Sequence, residues 1–435
     1  MRWTGASPIF SALNDGQPPP RRPLVTRYPV PSLAWARALK NAVTRRPWWR
    51  WPRNFLAPEI AVCSFNDLLC AELLAGDRAA RYVADSVLIE SGRADPQPLL
   101  RPDRRRAVSE RMATALGNLM PVPEPVGARA LAWARLIVAM AIEQADRDLA
   151  RLRSIRRLPE RLWTATGSRH LPRALGIEVR RRGGEVVRFS HSGDTGTSTS
   201  DSELAIRECL ASTGFAVCSD KLAELVARQP AVRAAGDWSP CDIKATAAPD
   251  PEFQGLRSLK PRPNGPRPRV LYVMTALRGG QQPWPPRLPD PIHVDSQVRL
   301  AETLSRMPID LTCKPHPEGA WGHRRHPTDA IAPTTYQLFE SVMAEFDVYV
   351  YDFFQSTTFW KALCTDRRMV LIDHGITEFV PEVAGWIAKR CTVLRSRFDD
   401  RGRPQIDAAE LEAAILDSTI AIDPTPFHQL FRARR

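Results

Sequence analysis

The run Val348-Tyr-Val-Tyr351, the hydroxyl run Ser356-Thr-Thr358 and the run Arg368-Met-Val-Leu-Ile-Asp373 decide the fold. The first and last runs are short and rich in β-branched and aromatic residues, which is typical of buried strands. The residues between them, 357–364, have the pattern of a helix. A strand, a helix and a second strand in this order predict a βαβ unit with two parallel strands.

The same alternation extends in both directions along the chain. It predicts an α/β fold of two Rossmann-like domains facing a cleft, as in the GT-B architecture, with a helical N-terminal portion over about 61–157. Further strands are expected at 161–166, 185–190, 215–218, 270–275 and 309–313, and helices at 171–182, 220–227, 296–306, 335–346 and 408–419.

Composition shifts divide the chain into four parts. A basic segment rich in Pro and Trp covers 1–60, a helical plus Rossmann-like acceptor domain 61–250, a proline-rich linker 251–268, and a nucleotide-donor domain 269–435. Proline-rich stretches without periodicity are typical of linkers.

The net charge of +13 over 435 residues does not belong to the globular body. Residues 1–60 contain ten Lys and Arg against two Asp and Glu, and three more Arg stand among the last four residues. A body that is nearly neutral argues against a nucleic-acid-binding protein. The cluster Arg45-Arg-Pro-Trp-Trp-Arg-Trp-Pro-Arg53 suits an anionic membrane surface, although indoles that pack on the protein's own surface, or stack on nucleic acid, explain it too.

No stretch has the length and apolarity of a membrane-spanning helix, no signal peptide is evident, and the eight cysteines include no Cys-x-x-Cys pair. We therefore expect a cytoplasmic protein, either free or held peripherally on the inner membrane face.

Polar groups follow several of the predicted strands, where open α/β sheets bind ligands. Lys314 and His316, with Pro317 fixing the loop, supply cationic donors suited to phosphate. Hydroxyls and backbone N–H groups at 356–358 suit an anion at a helix start. The other candidates are Gly279 and Gly280 for close approach of backbone to a nucleotide, His374 for its base or ribose, and His191 or Asp194 as a general base.

The order of Lys314-Pro-His-Pro317, Phe346-Asp-Val-Tyr-Val-Tyr-Asp352, Ser356-Thr-Thr-Phe-Trp-Lys-Ala-Leu363 and Met369-Val-Leu-Ile-Asp373 resembles GT-B transferases of bacterial surface-polysaccharide and capsule assembly, including CDP-glycerol glycerophosphotransferases. The resemblance implies that His316, Pro317, Ser356 and Thr357 hold the donor's phosphates. It also matches His191 to the proposed base of that family, although this chain has His-Ser-Gly where the family has His-Gly-Thr.

The expected function is transfer of a sugar or polyol phosphate from a CDP-, CMP-, UDP- or GDP-linked donor to a hydroxyl of a lipid-linked or polysaccharide acceptor. No acidic triplet suited to a metal is evident, so we expect a metal-independent enzyme without a cofactor. Two other classes stay open: a nucleotide-sugar epimerase of the same architecture, and a non-catalytic protein that binds a membrane or a polyanion.

Overall fold

The computed structural model describes residues 58–119, 126–165, 169–191, 193–199, 202–256, 259, 265–277, 288–317, 325–376, 378–417, 419 and 422–432. The predicted basic segment and the pair Gly279 and Gly280 lie outside these residues, apart from residues 58–60. Within them, no helix is long and apolar enough to cross a membrane.

The structure contains two parallel sheets, of six and five strands, and a small antiparallel sheet of two strands, Arg397–Phe398 and Pro404–Gln405. The strands are β1 (Ile60–Val62), β2 (Ala80–Tyr82), β3 (Arg161–Thr164), β4 (Glu185–Phe189), β5 (Gly214–Val217), β6 (Asp242–Ala245), β7 (Arg269–Val273), β8 (Asp310–Lys314), β9 (Val348–Tyr351), β10 (Arg368–Asp373), β11 (Thr392–Arg395), β12 (Arg397–Phe398) and β13 (Pro404–Gln405).

Helices connect the strands of both sheets. They are α1 (Asp67–Ala75), α2 (Asp85–Glu90), α3 (Pro102–Leu119), α4 (Val126–Ser154), α5 (His170–Arg181), α6 (Asp220–Arg228), α7 (Pro230–Trp238), α8 (Asp290–Ser305), α9 (Phe339–Val342), α10 (Thr357–Leu363), α11 (Pro381–Arg390), α12 (Ala408–Leu416) and α13 (Thr425–Leu430). A short helical segment at Ser202–Leu204 continues into a π-helical turn at Ala205–Cys209.

Both sheets have the same winding. The six-stranded sheet has the order β2-β1-β3-β4-β5-β6, and the five-stranded sheet has the order β8-β7-β9-β10-β11. In each, the chain passes from the first strand to a neighbour on one side and then returns to the other side, as in doubly wound folds. The predicted α/β class with two parallel-sheet domains is thereby confirmed.

The described residues form two compact units. Those up to Phe189, together with 206–215 and 239–242, make the first unit, and the remainder make the second. The loop 190–199 after β4 therefore belongs to the second unit. The domain boundaries expected from the sequence stay a prediction.

One hydrophobic core lies on the five-stranded sheet. Its members are apolar residues of alternate strand positions and of α8 and α12, with Tyr272, Val348 and Leu411 completely buried. The central strand β9 is buried at all four positions, which explains why its sequence is a continuous run of apolar and aromatic residues.

Glu178 joins two helices of the first unit. It is completely buried in α5, and it accepts hydrogen bonds from Arg181 Nε at 2.8 Å and Arg182 Nε at 3.0 Å. Arg182 also donates to the carbonyl oxygens of Leu152 in α4 and Ile155 beyond it. The carboxylate thus holds the guanidinium that fixes the end of α5 against the end of α4.

Replacing Glu178 by Gln should therefore lower the free energy of unfolding at neutral pH by about 2 kcal/mol, because the partly exposed guanidinium groups of Arg181 and Arg182 lose the buried counter-charge to which they donate hydrogen bonds. Burial alone would raise the pKa of Glu178, but hydrogen bonds from Arg181 and Arg182 outweigh it and lower the pKa below 4.5. A lowered pKa gives stability above 4.5 that is lost as pH falls through the folded-state pKa. Urea unfolding at pH 7, 5 and 3 should show a smaller acid loss in E178Q than in the natural protein.

The matched control is Glu185→Gln, whose ion pair with Arg161 is exposed at both ends. An exposed pair contributes less than about 1 kcal/mol. Equal acid profiles for E178Q and the natural chain would contradict this role of Glu178.

Candidate functional site

The carboxyl ends of β7 to β11 meet at one edge of the five-stranded sheet. The chain reverses its winding between β7 and β9, and such a switch point is where open α/β sheets bind ligands. Several of the candidates from the sequence follow these strands: Lys314, His316 and Pro317 at the end of β8, Ser356, Thr357 and Thr358 after β9, and His374 after β10.

Asp352, the first residue after β9, is the centre of the switch point. It is 3% exposed and accepts three hydrogen bonds: from Tyr272 Oη at 3.0 Å, from the backbone N–H of Thr275 at 2.9 Å and from Gln297 Nε2 at 2.9 Å. His293 Nε2 of α8 lies 3.7 Å from Asp352 Oδ2. Strands β7 and β9 and helix α8 are therefore fastened to one carboxylate.

Three polar atoms around Asp352 have no hydrogen-bond partner among the described residues: His293 Nε2, Gln297 Oε1 and His374 Nε2. Gln297 is completely buried, and the two imidazole rings stand edge to face with centroids 6.0 Å apart. Buried polar atoms in native proteins are almost always paired, by protein, water or ligand. Their convergence at a switch point indicates a binding site for a polar ligand.

The surroundings of His374 favour its neutral imidazole form. Burial lowers its pKa, and the nearby His293 lowers it further, against the opposing effect of Asp352. Its Nδ1 lies 3.0 Å from Ser396 Oγ, so the ring is oriented from the side of β11. The following Gly375 has φ of +69°, and a Cβ there would stand 2.2 Å from Arg395 Nη2. That left-handed backbone conformation favours glycine.

The loop Lys314-Pro-His-Pro317 contains both buried and solvent-exposed side chains. Lys314 is 4% exposed, and its Nζ donates to the carbonyl oxygen of Gln337. Burial lowers the pKa of Lys314, although the nearby Glu340 opposes that effect. His316 is half-buried and Pro317 is exposed, so His316 is the cationic candidate of this loop that solvent reaches.

Ser356 is the N-cap residue of α10, and its side chain makes no capping bond to the helix backbone. Instead, Ser356 Oγ and Thr358 Oγ1 lie 2.7 Å apart and share a hydrogen bond. All three hydroxyl residues, 356–358, are half-buried. Two hydroxyls that bond to each other retain capacity for a further acceptor or donor.

The loop after β4 carries His191 and Asp194 and is built as a tight turn. His191 is exposed and Asp194 half-buried. Ser190 Oγ lies 2.8 Å from Thr195 Oγ1, and the Thr197 hydroxyl donates to the carbonyl oxygen of Asp194 at 2.6 Å. The turn therefore fixes the backbone around both base candidates.

The same loop contacts α10 and the segment after β10 within the second unit. Gly193 packs on Trp360 so closely that a Cβ at 193 would stand 2.6 Å from Trp360 Cβ. The N–H of Thr199 donates to the carbonyl oxygen of Glu378, and the N–H of Val380 donates to that of Thr197. The structure thus holds the loop that carries His191 against α10, which begins after Ser356, and against residues 378–380, which follow His374 in the chain.

Sequence reasoning missed His293, Gln297 and Asp352 as site residues. For Asp352 the sequence did contain a signal, since it is the polar residue that directly follows a buried strand. The i, i+4 pair His293 and Gln297 could not be found, because the expected helix began at Ser296 whereas α8 begins at Asp290. Among the described residues, no group of three or more His, Cys, Asp or Glu side chains is arranged to hold a metal ion.

No protein-family model and no curated protein matches this chain. Several solved structures are distantly similar. Os79 from O. sativa, in complex with UDP and deoxynivalenol-3-glucoside, shares 11% identity over 86% of this chain and 94% of its own, with a TM-score of 0.39. MurG from Acinetobacter baumannii (9%, 86% and 93%, 0.37) and CalG4, the calicheamicin glycosyltransferase (12%, 87% and 94%, 0.37), are similar to the same degree. Likenesses this weak carry no residue-level correspondence.

Substituting Gly193 by Ala tests the contact between the His191 loop and α10. The added methyl group would overlap the completely buried Trp360 and approach Phe253 Cζ to 3.1 Å, so the free energy of unfolding should fall by about 1–3 kcal/mol. In the control Gly385→Ala, within α11, nothing lies within 4 Å of the new Cβ. That variant should gain about 1 kcal/mol from helix propensity. Thermal unfolding of both variants measures the difference, and equal shifts would refute the contact.

Proposed function

We propose that this chain is a GT-B-like transferase that moves a sugar or polyol phosphate from a nucleotide-activated donor to a hydroxyl of a surface-polysaccharide or lipid-linked acceptor. The observation that carries the proposal is the set of unpartnered polar atoms around Asp352 at the switch point. A nucleoside offers the donors and acceptors that His293 Nε2, Gln297 Oε1 and His374 Nε2 lack. The family resemblance of the surrounding motifs supports the same class.

The donor's phosphates are assigned to the neighbouring strand ends. His316, with Lys314 behind it and Pro317 fixing the loop, supplies positive charge, and Ser356, Thr357 and Thr358 supply hydroxyl donors. Negative charge grows on the departing nucleotide phosphate, so donors placed there lower the barrier. In this proposal these groups do the work of a divalent cation, and turnover continues in the presence of EDTA.

His191 removes the proton of the acceptor hydroxyl, with Asp194 as the alternative base. Exposure leaves the His191 imidazole accessible to a substrate, and the turn 193–197 holds its backbone. A donor linked to CDP, CMP, UDP or GDP is consistent with this site. An epimerase would turn over the donor without an acceptor, and a polyanion-binding protein would bind no specific nucleotide.

Calorimetric titration of the full chain with CDP-, CMP-, UDP- and GDP-linked compounds should identify one preferred nucleotide. His374→Ala should weaken binding of that nucleotide about five-fold, because one hydrogen bond is lost.

His316→Ala should lower turnover at least about 100-fold with an unchanged circular dichroism spectrum. The control is His170→Ala, whose imidazole pairs with Asp148 in the first unit. Undiminished donor hydrolysis and transfer in H316A would overturn the phosphate assignment.

We also propose that residues 1–60 hold the enzyme at an anionic membrane surface, where lipid-linked acceptors reside. The triple variant of Trp48, Trp49 and Trp51 to Ala, made in the full chain, should lose cosedimentation with phosphatidylglycerol vesicles because indoles anchor in the headgroup region. Trp238→Ala removes an indole that is 89% exposed elsewhere and should leave binding unchanged. Equal vesicle binding by the triple variant and the natural chain would refute the tether.

A further inference from the structure

Two cysteines of the first unit, Cys209 and Cys241, lie beside each other although they are far apart in the chain. Cys209 ends the π-helical turn, a geometry found frequently at functional sites, and Cys241 directly precedes β6. The N–H of Ser212 donates to the carbonyl oxygen of Cys209 at 3.1 Å, and Ser212 Oγ lies 3.6 Å from Cys241 Sγ. One residue further along each segment, the N–H of Asp242 donates to the carbonyl oxygen of Thr213 at 2.9 Å. A backbone and a side-chain hydrogen bond thus hold Cys241 against the turn that follows Cys209.

The two thiols are hydrogen-bonded to each other, with Cys209 as the donor. Cys209 is 1% exposed, whereas Cys241 is half-buried, so a small solute reaches Cys241 more readily. The hydrogen bond from Cys209 lowers the pKa of Cys241 against the effect of burial, and the charge of Arg180 acts in the same direction. The same hydrogen bond, together with burial, raises the pKa of Cys209. Because the thiolate is the nucleophilic form, the pair offers one thiol suited to attack and a neighbour suited to follow it.

We propose that Cys209 and Cys241 form a redox-active dithiol that hydrogen peroxide oxidises to an intramolecular disulfide. Cys241 Sγ, as the thiolate, attacks one peroxide oxygen. The S–O bond forms, the O–O bond breaks, and the departing hydroxide takes up the proton that the thiol released, which gives water and a sulfenic acid. Cys209 Sγ then loses its proton and attacks Cys241 Sγ, so that the S–S bond forms, the S–O bond breaks and a second water leaves. The two thiols lose two electrons in all, and the peroxide gains them.

The disulfide would fasten the two segments by which the chain leaves the first unit and returns to it. Residues 206–215 and 239–242 belong to the first unit, and residues 216–238 between them belong to the second. A bond from Cys209 to Cys241 closes this excursion into a covalent loop, which lowers the entropy of the unfolded chain. The dithiol is independent of the proposed transferase activity.

The test is disulfide mapping in the full-length protein. The chain is reduced with dithiothreitol, freed of reductant, treated with equimolar hydrogen peroxide at neutral pH, alkylated and digested with trypsin. Cleavage releases Cys209 on the peptide 208–221 and Cys241 on the peptide 234–244. The two peptides should be recovered as one linked species, and fragmentation should assign the bond to Cys209 rather than to Cys218, which is on the same peptide. Dithiothreitol should restore both thiols.

Three variants separate the roles of the thiols. Cys241→Ser should abolish the linked species. Cys209→Ala should stop the reaction at the sulfenic acid of Cys241, which dimedone traps. The control Cys70→Ser removes a thiol of α1 that is half-buried like Cys241, and it should leave the linked species unchanged. Circular dichroism checks the fold of C209A, and mapping in the natural chain and in C241S tests the proposal without that variant.

Oxidation should also raise the midpoint of thermal unfolding of the natural chain by roughly 5 °C or more, because the covalent loop restricts the unfolded state. The midpoint of C241S should not rise. A bond between Cys209 and Cys241 that forms in the natural chain and in C70S, but not in C241S, supports the dithiol. Recovery of both cysteines as alkylated thiols after peroxide treatment, or pairing of Cys241 with a cysteine other than Cys209, overturns it.

Discussion

The carboxylate of Asp352 is the constraint on which the switch point of the five-stranded sheet depends. A buried carboxylate must be surrounded by donors, and here they come from β7, from the backbone after β7 and from α8. Satisfying it fixes the distance between two neighbouring strands at their carboxyl ends. It also turns Gln297 so that its amide oxygen has no hydrogen-bond partner among the residues that the structure describes, and it positions His293 facing His374. The hydrogen bonds that satisfy Asp352 thus orient the neighbouring side chains whose own polar atoms have no partner among the described residues.

Aromatic packing holds the loop after β4 against α10. Trp360 is completely buried among Phe359, Phe379, Phe427 and Phe431, and Gly193 lies directly against it. A glycine is required because the indole occupies the space of any side chain. The loop conformation is therefore set by a core residue of α10, the helix that begins at the hydroxyl run.

The longer strands and their order along the chain could be predicted from the sequence pattern. Strands β9 and β10, for example, are buried on both faces, so their sequences are short runs of mostly apolar residues. Strands β1 and β2 could not, because each has only three residues and helix α1 lies between them. The helix expected over 335–346 was wrong at its start. Residues 333–335 lie extended along the edge strand β8, where Cys313 exchanges backbone hydrogen bonds with Pro333 and Thr335, and only Phe339–Val342 is α-helical. Tertiary pairing overrode local propensity there, as it does at sheet edges.

The loop 190–199 is part of the same compact unit as the strand ends of the five-stranded sheet. Its two backbone hydrogen bonds with residues 378–380 and its contact with Trp360 leave it little freedom relative to α10. A ligand that touches both the turn at 193–197 and the hydroxyls at 356–358 meets two surfaces already held in register. Its binding then carries no entropic cost for bringing those surfaces together, which is the thermodynamic meaning of preorganisation.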